Sequence, residues 1–155
     1  MKRNPSKYQA TVMGKTQIMS KFYCENTSIP NTEELEMLGV TVDDKRKFEK
    51  HIASICRKVS QQVVVLKKIL PLETRKCLYL AFIIPDFNYS SETWHFCNKG
   101  ATAKLEKVNE RVLRFVFTEK QSPYSADLLH QIGLPSLVNQ RLAKIACTVF
   151  TVINN

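Results

Sequence analysis

The stretch FEKHIASICRKVSQQVVVLKKI, residues 48–69, decides the fold. Phe48, Ile52, Ile55, Val59, Gln62, Leu66 and Ile69 follow one another at spacings of four, three, four, three, four and three. A chain that turns about 100° per residue puts such positions on one side, so the spacing predicts a long amphipathic helix. Asp43 or Asp44 supplies a carboxylate to cap its first backbone N–H groups. From Lys45 to Lys68 the helix would run roughly 36 Å. Pro71 ends it, because proline lacks the N–H that the next helical hydrogen bond needs.

Upstream of this stretch the period is two. Tyr8, Ala10 and Val12 alternate with polar neighbours in Lys7 to Met13, which predicts a strand ending at Gly14. Phe22 to Cys24 reads as a second short strand and Ser28 to Asn31 as a turn. Leu35 to Val42 reads as a further strand interrupted at Gly39. Downstream the period stays helical. A helix is predicted from Leu72 to Ile84, broken or kinked at Pro85, then a short aromatic segment with Phe87, Tyr89 and Trp94. Thr102 is the expected cap of the next helix, with Leu105, Val108, Val112, Phe115 and Val116 inward. Ser122-Pro123 opens a short helix that Gly133 closes. Pro135 opens the last, with Val138, Leu142, Ile145, Val149 and Ile153 inward. The expected class is α+β: a small antiparallel sheet or hairpin over residues 1–43, then a mainly helical bundle over 44–155.

The chain has 155 residues and a formal charge of +9, from 23 Lys+Arg against 14 Asp+Glu. Such an excess attracts polyanions, leaving nucleic acid, anionic membrane and acidic proteins open as partners. The charge is concentrated: residues 45–76 carry ten basic groups against two acids. Five cysteines, none in a C-x-x-C pair, exclude a zinc ribbon or a thioredoxin motif. They read as reduced, mostly buried thiols of an intracellular protein, nuclear or cytoplasmic. No secretory signal is visible, and the apolar run Ala146 to Ile153 is too short to span a bilayer, so no membrane span is expected. Among the partner classes, nucleic acid is the one expected and no membrane.

Several patterns bear on chemistry. Lys104, Lys107, Arg111 and Arg114 recur every three or four residues, beside the apolar stripe of their helix. Such a row can follow a phosphate backbone, or it is a solvated amphipathic face diluted by Glu106 and Glu110. Lys45, Arg46, Lys47, Lys50, Arg57 and Lys58 form a second basic candidate, and Lys67-Lys68 complement a helix dipole. Phe87, Tyr89 and Trp94 can stack on bases or fill a core. Asp43-Asp44 invites a Mg²⁺ reading, but a third carboxylate is lacking and capping explains the pair better. His51 with Cys56 and His95 with Cys97 are incomplete as zinc sites. No Walker, G-x-S-x-G or H-E-x-x-H pattern occurs. No metal or cofactor site is therefore expected on the chain.

An ordered series says more than any one motif. It comprises Asn4-Pro5-Ser6-Lys7, Leu38-Gly39-Val40-Thr41-Val42-Asp43 and Phe48-Glu49-Lys50-His51-Ile52. It continues with Pro71-Leu72-Glu73-Thr74-Arg75, Ile84-Pro85-Asp86-Phe87-Asn88-Tyr89 and Trp94. It closes with Lys104 to Arg111, Leu113-Arg114, Gly133-Leu134-Pro135-Ser136-Leu137 and Arg141-Leu142. In this order and spacing the chain resembles the C-terminal part of reverse transcriptases from non-LTR, LINE-like retrotransposons, over essentially its whole length.

The resemblance implies a fragment of an RNA-directed DNA polymerase: the end of the palm, the primer grip and the thumb. Leu38, Gly39 and Val40 would lie in the primer-grip hairpin. Lys7 would match a lysine of the late palm, a candidate proton donor to pyrophosphate. Lys104, Lys107, Arg111 and Arg114 would hold the template–primer duplex. The implied partners are an RNA template, a DNA primer, their hybrid duplex, and the palm and fingers of the same polymerase. The aspartates that hold Mg²⁺ in that family, including its aromatic-x-Asp-Asp turn, have no counterpart here, so the chain alone is expected to be inactive. Ser90 stands where many relatives have cysteine, and the connection from Leu66 to Pro71 is a few residues short. A stand-alone basic nucleic-acid-binding module and a non-functional remnant of a mobile element are the alternatives.

Overall fold

The computed structural model describes residues 8–14, 21–24, 26–65, 70–117 and 125–154. Two small antiparallel hairpins precede a series of helices, an α+β arrangement. The chain divides into two compact units, Met1–His51 and Ile52–Asn155.

In the first unit, β1 (Phe22–Cys24) pairs with β2 (Thr27–Ile29), Phe22 opposite Ile29. Ser28 and Ile29, expected in a turn, are therefore strand residues. Pro30, which has no N–H for a ladder, ends that strand instead. The strand expected before Gly14 reduces, among the described residues, to a single bridge. Ala10 pairs with Asn31, and its carbonyl accepts the Thr32 N–H at 2.8 Å.

The expected interrupted strand is a hairpin. β3 (Glu34–Met37) and β4 (Val40–Asp43) pair with Met37 opposite Val40, leaving Leu38-Gly39 as a two-residue turn. Both turn residues have positive φ, 50° and 78°, the type I′ geometry whose twist matches the strands it joins. Val40 and Val42 are buried.

The helix predicted from Lys45 begins later. α1 spans Glu49–Val65, because Arg46 and Phe48 take left-handed φ values of 52° and 56° that no α-helix admits. Asp43 organises this loop. Its carboxylate accepts the backbone N–H groups of Lys45, Lys47 and Phe48 at 3.1, 2.9 and 2.6 Å. Of the predicted seam, Phe48, Ile52, Ile55 and Val59 are buried and Gln62 is half-buried. Leu66, Ile69 and the Ser122-Pro123 cap lie outside the described residues.

In the second unit, α2 (Leu72–Leu78) does not stop at Pro85. It passes through a π-helical segment, Tyr79–Ile83, into α3 (Ile84–Asn88). The Ile84 N–H reaches back five residues to the Tyr79 carbonyl. This wider turn shifts the register just before Pro85, so the missing N–H and the ring are absorbed without a break. Asp86 on α3 ties down α1, accepting Lys58 and Gln62 at 2.7 Å each.

α4 (Ser91–Trp94) follows a left-handed Ser90, and α5 spans Lys99–Phe117. The α5 cap is Asn98 rather than Thr102: its side-chain oxygen accepts the Ala101 N–H at 2.7 Å. The predicted α5 stripe is buried at Leu105, Val108, Val112 and Val116, with Phe115 half-buried. α6 (Ser125–Ile132) ends at Gly133, whose φ of 73° suits only glycine without strain. α7 (Leu137–Ile153) is capped by Ser136, which accepts the Asn139 N–H. α5 packs on α2 and α6, and α7 packs on α3 and α4.

The seam predicted to face inward on α7 does so only in part, with Val138 and Ile145 half-buried. Leu142, Val149 and Ile153 are 48%, 50% and 76% exposed, while Leu137 and Arg141 are buried. The cysteines depart from expectation too: all five are free, but only Cys56 is buried, and Cys77 and Cys147 are exposed. No described helix is long and apolar enough to cross a membrane.

Candidate nucleic-acid interface

α5 orders its charges by the same geometry that builds its core. Leu105, Val108, Val112 and Val116 turn one side inward. Lys104, Lys107 and Arg111 are exposed and Arg114 is half-exposed, on the side turned away. From Lys104 to Arg114 the row runs about 15 Å along the axis at 1.5 Å per residue.

The two acids that would dilute this row are both engaged. Glu110 pairs with Arg114 four residues on. Glu106 is drawn inward, where it accepts the Val138 N–H in the first turn of α7 and lies in the field of Arg141. Burial raises its pKa above the ordinary carboxylate range, while Arg141 and the Val138 N–H pull the other way. Sequence spacing alone placed Glu106 beside Lys and Arg of its own helix; the fold turns it to α7 instead.

The remaining cations separate by what holds them. Lys50 pairs with Glu34, Lys58 with Asp86, Lys76 with Glu73 and Lys144 with Glu92. Arg75 is buried and donates to the Phe115 carbonyl at 3.1 Å. Arg141 is buried over the Trp94 ring, 5.3 Å from its centroid. By contrast, Lys104, Lys107 and Arg111 have no ion-pair partner among the described residues. The second basic candidate is split: Lys45, Arg46 and Lys47 stand exposed in the loop before α1, Arg57 is exposed, and Lys50 and Lys58 are tied into the fold. Burial raises the Cys56 thiol pKa, and the Lys104 ammonium works against it.

The other candidates are placed as follows. Leu38 and Gly39 form the exposed hairpin tip, Leu38 at 85%, whereas Val40 is buried and cannot touch a ligand. Lys7 lies outside the described residues. Phe87 and Trp94 are fully buried, so they are core, not stacking platforms; Tyr89 alone of the three is exposed. Among the described residues no three His, Cys, Asp or Glu side chains gather as metal ligands. Asp43 is occupied with backbone N–H groups, and burial, which would raise its pKa, is outweighed by those bonds, which hold it below the ordinary value.

Comparison with protein-family models, with curated proteins and with solved structures gives no match.

Proposed function

We propose that this chain is the duplex-holding part of a non-LTR reverse transcriptase, and that it binds an RNA–DNA hybrid through the exposed side of α5. The observation that carries the reading is the division among its cations. Those that brace the fold are paired or buried; among the described cations without an ion-pair partner, Lys104, Lys107 and Arg111 stand in one row on one helix, whereas Lys45, Arg46 and Lys47 lie in the loop before α1 and Arg57 stands singly on that helix. A row of free cations on a rigid element suits phosphates, which positions a duplex without reading its sequence. In this reading Arg114 serves at the end of the row and exposed Leu38 supports the primer strand. The ordered series of family-like segments supplies the polymerase assignment. Mg²⁺ and the phosphoryl-transfer chemistry belong to the palm of the complete enzyme.

Binding of the purified chain to a labelled RNA–DNA hybrid tests this. Neutralising three phosphates makes affinity fall roughly 40-fold between about 50 and 200 mM salt. Lys107→Glu with Arg111→Glu should weaken binding and flatten that salt dependence. Arg57→Glu with Lys45→Glu should do so less. Equal losses in the two variants would remove the α5 assignment, and absent binding at low salt would remove the function. Primer extension with Mg²⁺ by the chain alone would contradict its assignment as the non-catalytic part.

A further inference from the structure

α5 carries two acids beside its basic row, and the fold places them differently. Glu106 is turned inward to the Val138 N–H at the start of α7. Glu110 stays half-exposed, and its carboxylate pairs with the Arg114 guanidinium four residues on. Helix geometry favours that choice. Glu110 is also three residues from Lys107, but a carboxylate four residues N-terminal to a cation makes the better-oriented pair. Arg114 presents a planar set of N–H donors that a carboxylate and a phosphate engage alike. Lys104, Lys107 and Arg111 have no ion-pair partner among the described residues, so the row holds three free cations and one neutralised one.

We infer that Glu110 is an internal competitor for phosphate: its carboxylate holds Arg114 in place of a backbone phosphate of the hybrid, and so limits the grip of α5 to three phosphates. The inference rests on the reading of α5 as the hybrid-binding surface. Its physical basis is charge. The salt-dependent part of binding comes from counterions that cations displace from phosphates. The Arg114–Glu110 pair has no net charge, so it displaces none, even where other N–H groups of the guanidinium stay open. To recruit Arg114, a phosphate must separate the pair and then lie beside the freed carboxylate, whose side chain is 36% exposed one turn from Lys107 and Arg114. An exposed pair of this spacing is weak in itself. The restriction comes from that second, like-charge contact rather than from the strength of the bond. α5 thus holds a polyanion less tightly than its four cations could.

Binding of the full chain to a labelled RNA–DNA hybrid, measured between about 50 and 200 mM salt, tests this. Glu110→Gln keeps a helix-favouring side chain of the same shape and frees Arg114. Affinity should rise roughly 15-fold at about 50 mM salt and roughly four-fold at about 200 mM. The fall across that range then grows from roughly 40-fold to roughly 150-fold, the mark of one phosphate more. Arg114→Gln removes a cation already neutralised and should leave the fall at roughly 40-fold, as should the two substitutions together. Glu73→Gln, which breaks the pair with Lys76 on α2, removes the same charge elsewhere and should leave the parent fall unchanged. A Glu110→Gln chain with the parent's salt dependence overturns the inference. So does an Arg114→Gln chain that falls only roughly 12-fold, since Arg114 would then already contact phosphate. A steepening that persists in the double variant, or appears equally in Glu73→Gln, traces to net charge alone and also overturns it. All these outcomes leave the α5 reading standing, because the parent still binds through Lys107 and Arg111. A parent chain that does not bind at low salt removes that reading and the inference with it.

Discussion

Leu38 holds a backbone conformation that L-residues avoid. Its φ is 50°, at the first position of a type I′ turn, and its side chain is 85% exposed. Glycine takes that conformation without Cβ strain, and asparagine tolerates it. Leu38→Gly or Leu38→Asn should therefore stabilise the hairpin by about 1 kcal/mol, read as a raised midpoint in urea. A lowered midpoint would mean that the leucine side chain contributes more than its backbone costs. The same substitutions should weaken hybrid binding if the hairpin tip supports a primer. Stability and binding then move in opposite directions, as expected of strain kept for function. At this scale the sequence was informative about backbone and silent about side-chain fate. Gly39 marked a bend, but only the pairing of Met37 with Val40 turned an interrupted strand into a hairpin. Arg141 sits among surface-type residues in the sequence, yet it is fully buried against Trp94, a contact made across 47 positions of chain.

At the scale of elements, the amphipathic helices were legible because burial repeats with the helical period. Ile52, Ile55 and Val59 of α1 and Leu105, Val108 and Val112 of α5 are buried as the spacing demands. Helix ends and interruptions were less legible, since several residues compete to cap or break. Asn98 takes the cap expected of Thr102, and the π-helical turn carries the chain through Pro85. That turn has a structural consequence at Tyr79. The fully buried Tyr79 hydroxyl donates to Asn109 Oδ1 on α5 at 2.8 Å, fastening the α2–α3 rod to the central helix. Burial raises the Tyr79 pKa far above its ordinary value, with the Asn109 bond opposing, so the phenol stays protonated and remains the donor. Tyr79→Phe would leave the Asn109 acceptor buried and unmatched, at a cost of roughly 1–3 kcal/mol in thermal or urea unfolding. Tyr79→Phe combined with Asn109→Leu should cost less than the sum of the two single changes, which a double-mutant cycle measures directly. Strict additivity would show that the bond carries no coupling.

For the whole molecule, the titrating groups set how stability follows pH. Burial lowers the pKa of His51 and of His95, the latter also through Arg141. A histidine with a depressed folded pKa stabilises above its unfolded value of 6.5 and loses that contribution as pH falls through the folded one. His51 fits this, since its Nδ1 accepts the Thr41 N–H and protonation would remove the acceptor. Asp43 adds a second loss below its unfolded value of 3.8, as its three backbone N–H bonds lose their anion. Glu106, raised by burial, runs the other way: its contribution is present below 4.5 and is lost as pH rises through its folded pKa. The unfolding midpoint should thus hold above pH 6.5, begin to fall below it, and fall again below pH 3.8. His51→Gln and His95→Gln should each flatten the first step, and Asp43→Asn the second. A midpoint that rises on acidification from neutrality would contradict the assignment.

The sequence by itself determined the α+β class, with strands ahead of helices, and the inward faces of α1 and α5, because each follows from local period and local breakers. It also marked the basic row of α5 as a candidate. Only the tertiary structure decided which charges remain free to meet a ligand, since pairing depends on partners distant in the chain, such as Asp86 for Lys58 and Glu92 for Lys144. It likewise decided the fate of α7. Local period sets an apolar stripe but not what covers it, and here the neighbouring helices offer Trp94, Asn88 and Glu92, so the polar edge of α7 turns inward and Leu142, Val149 and Ile153 stay exposed.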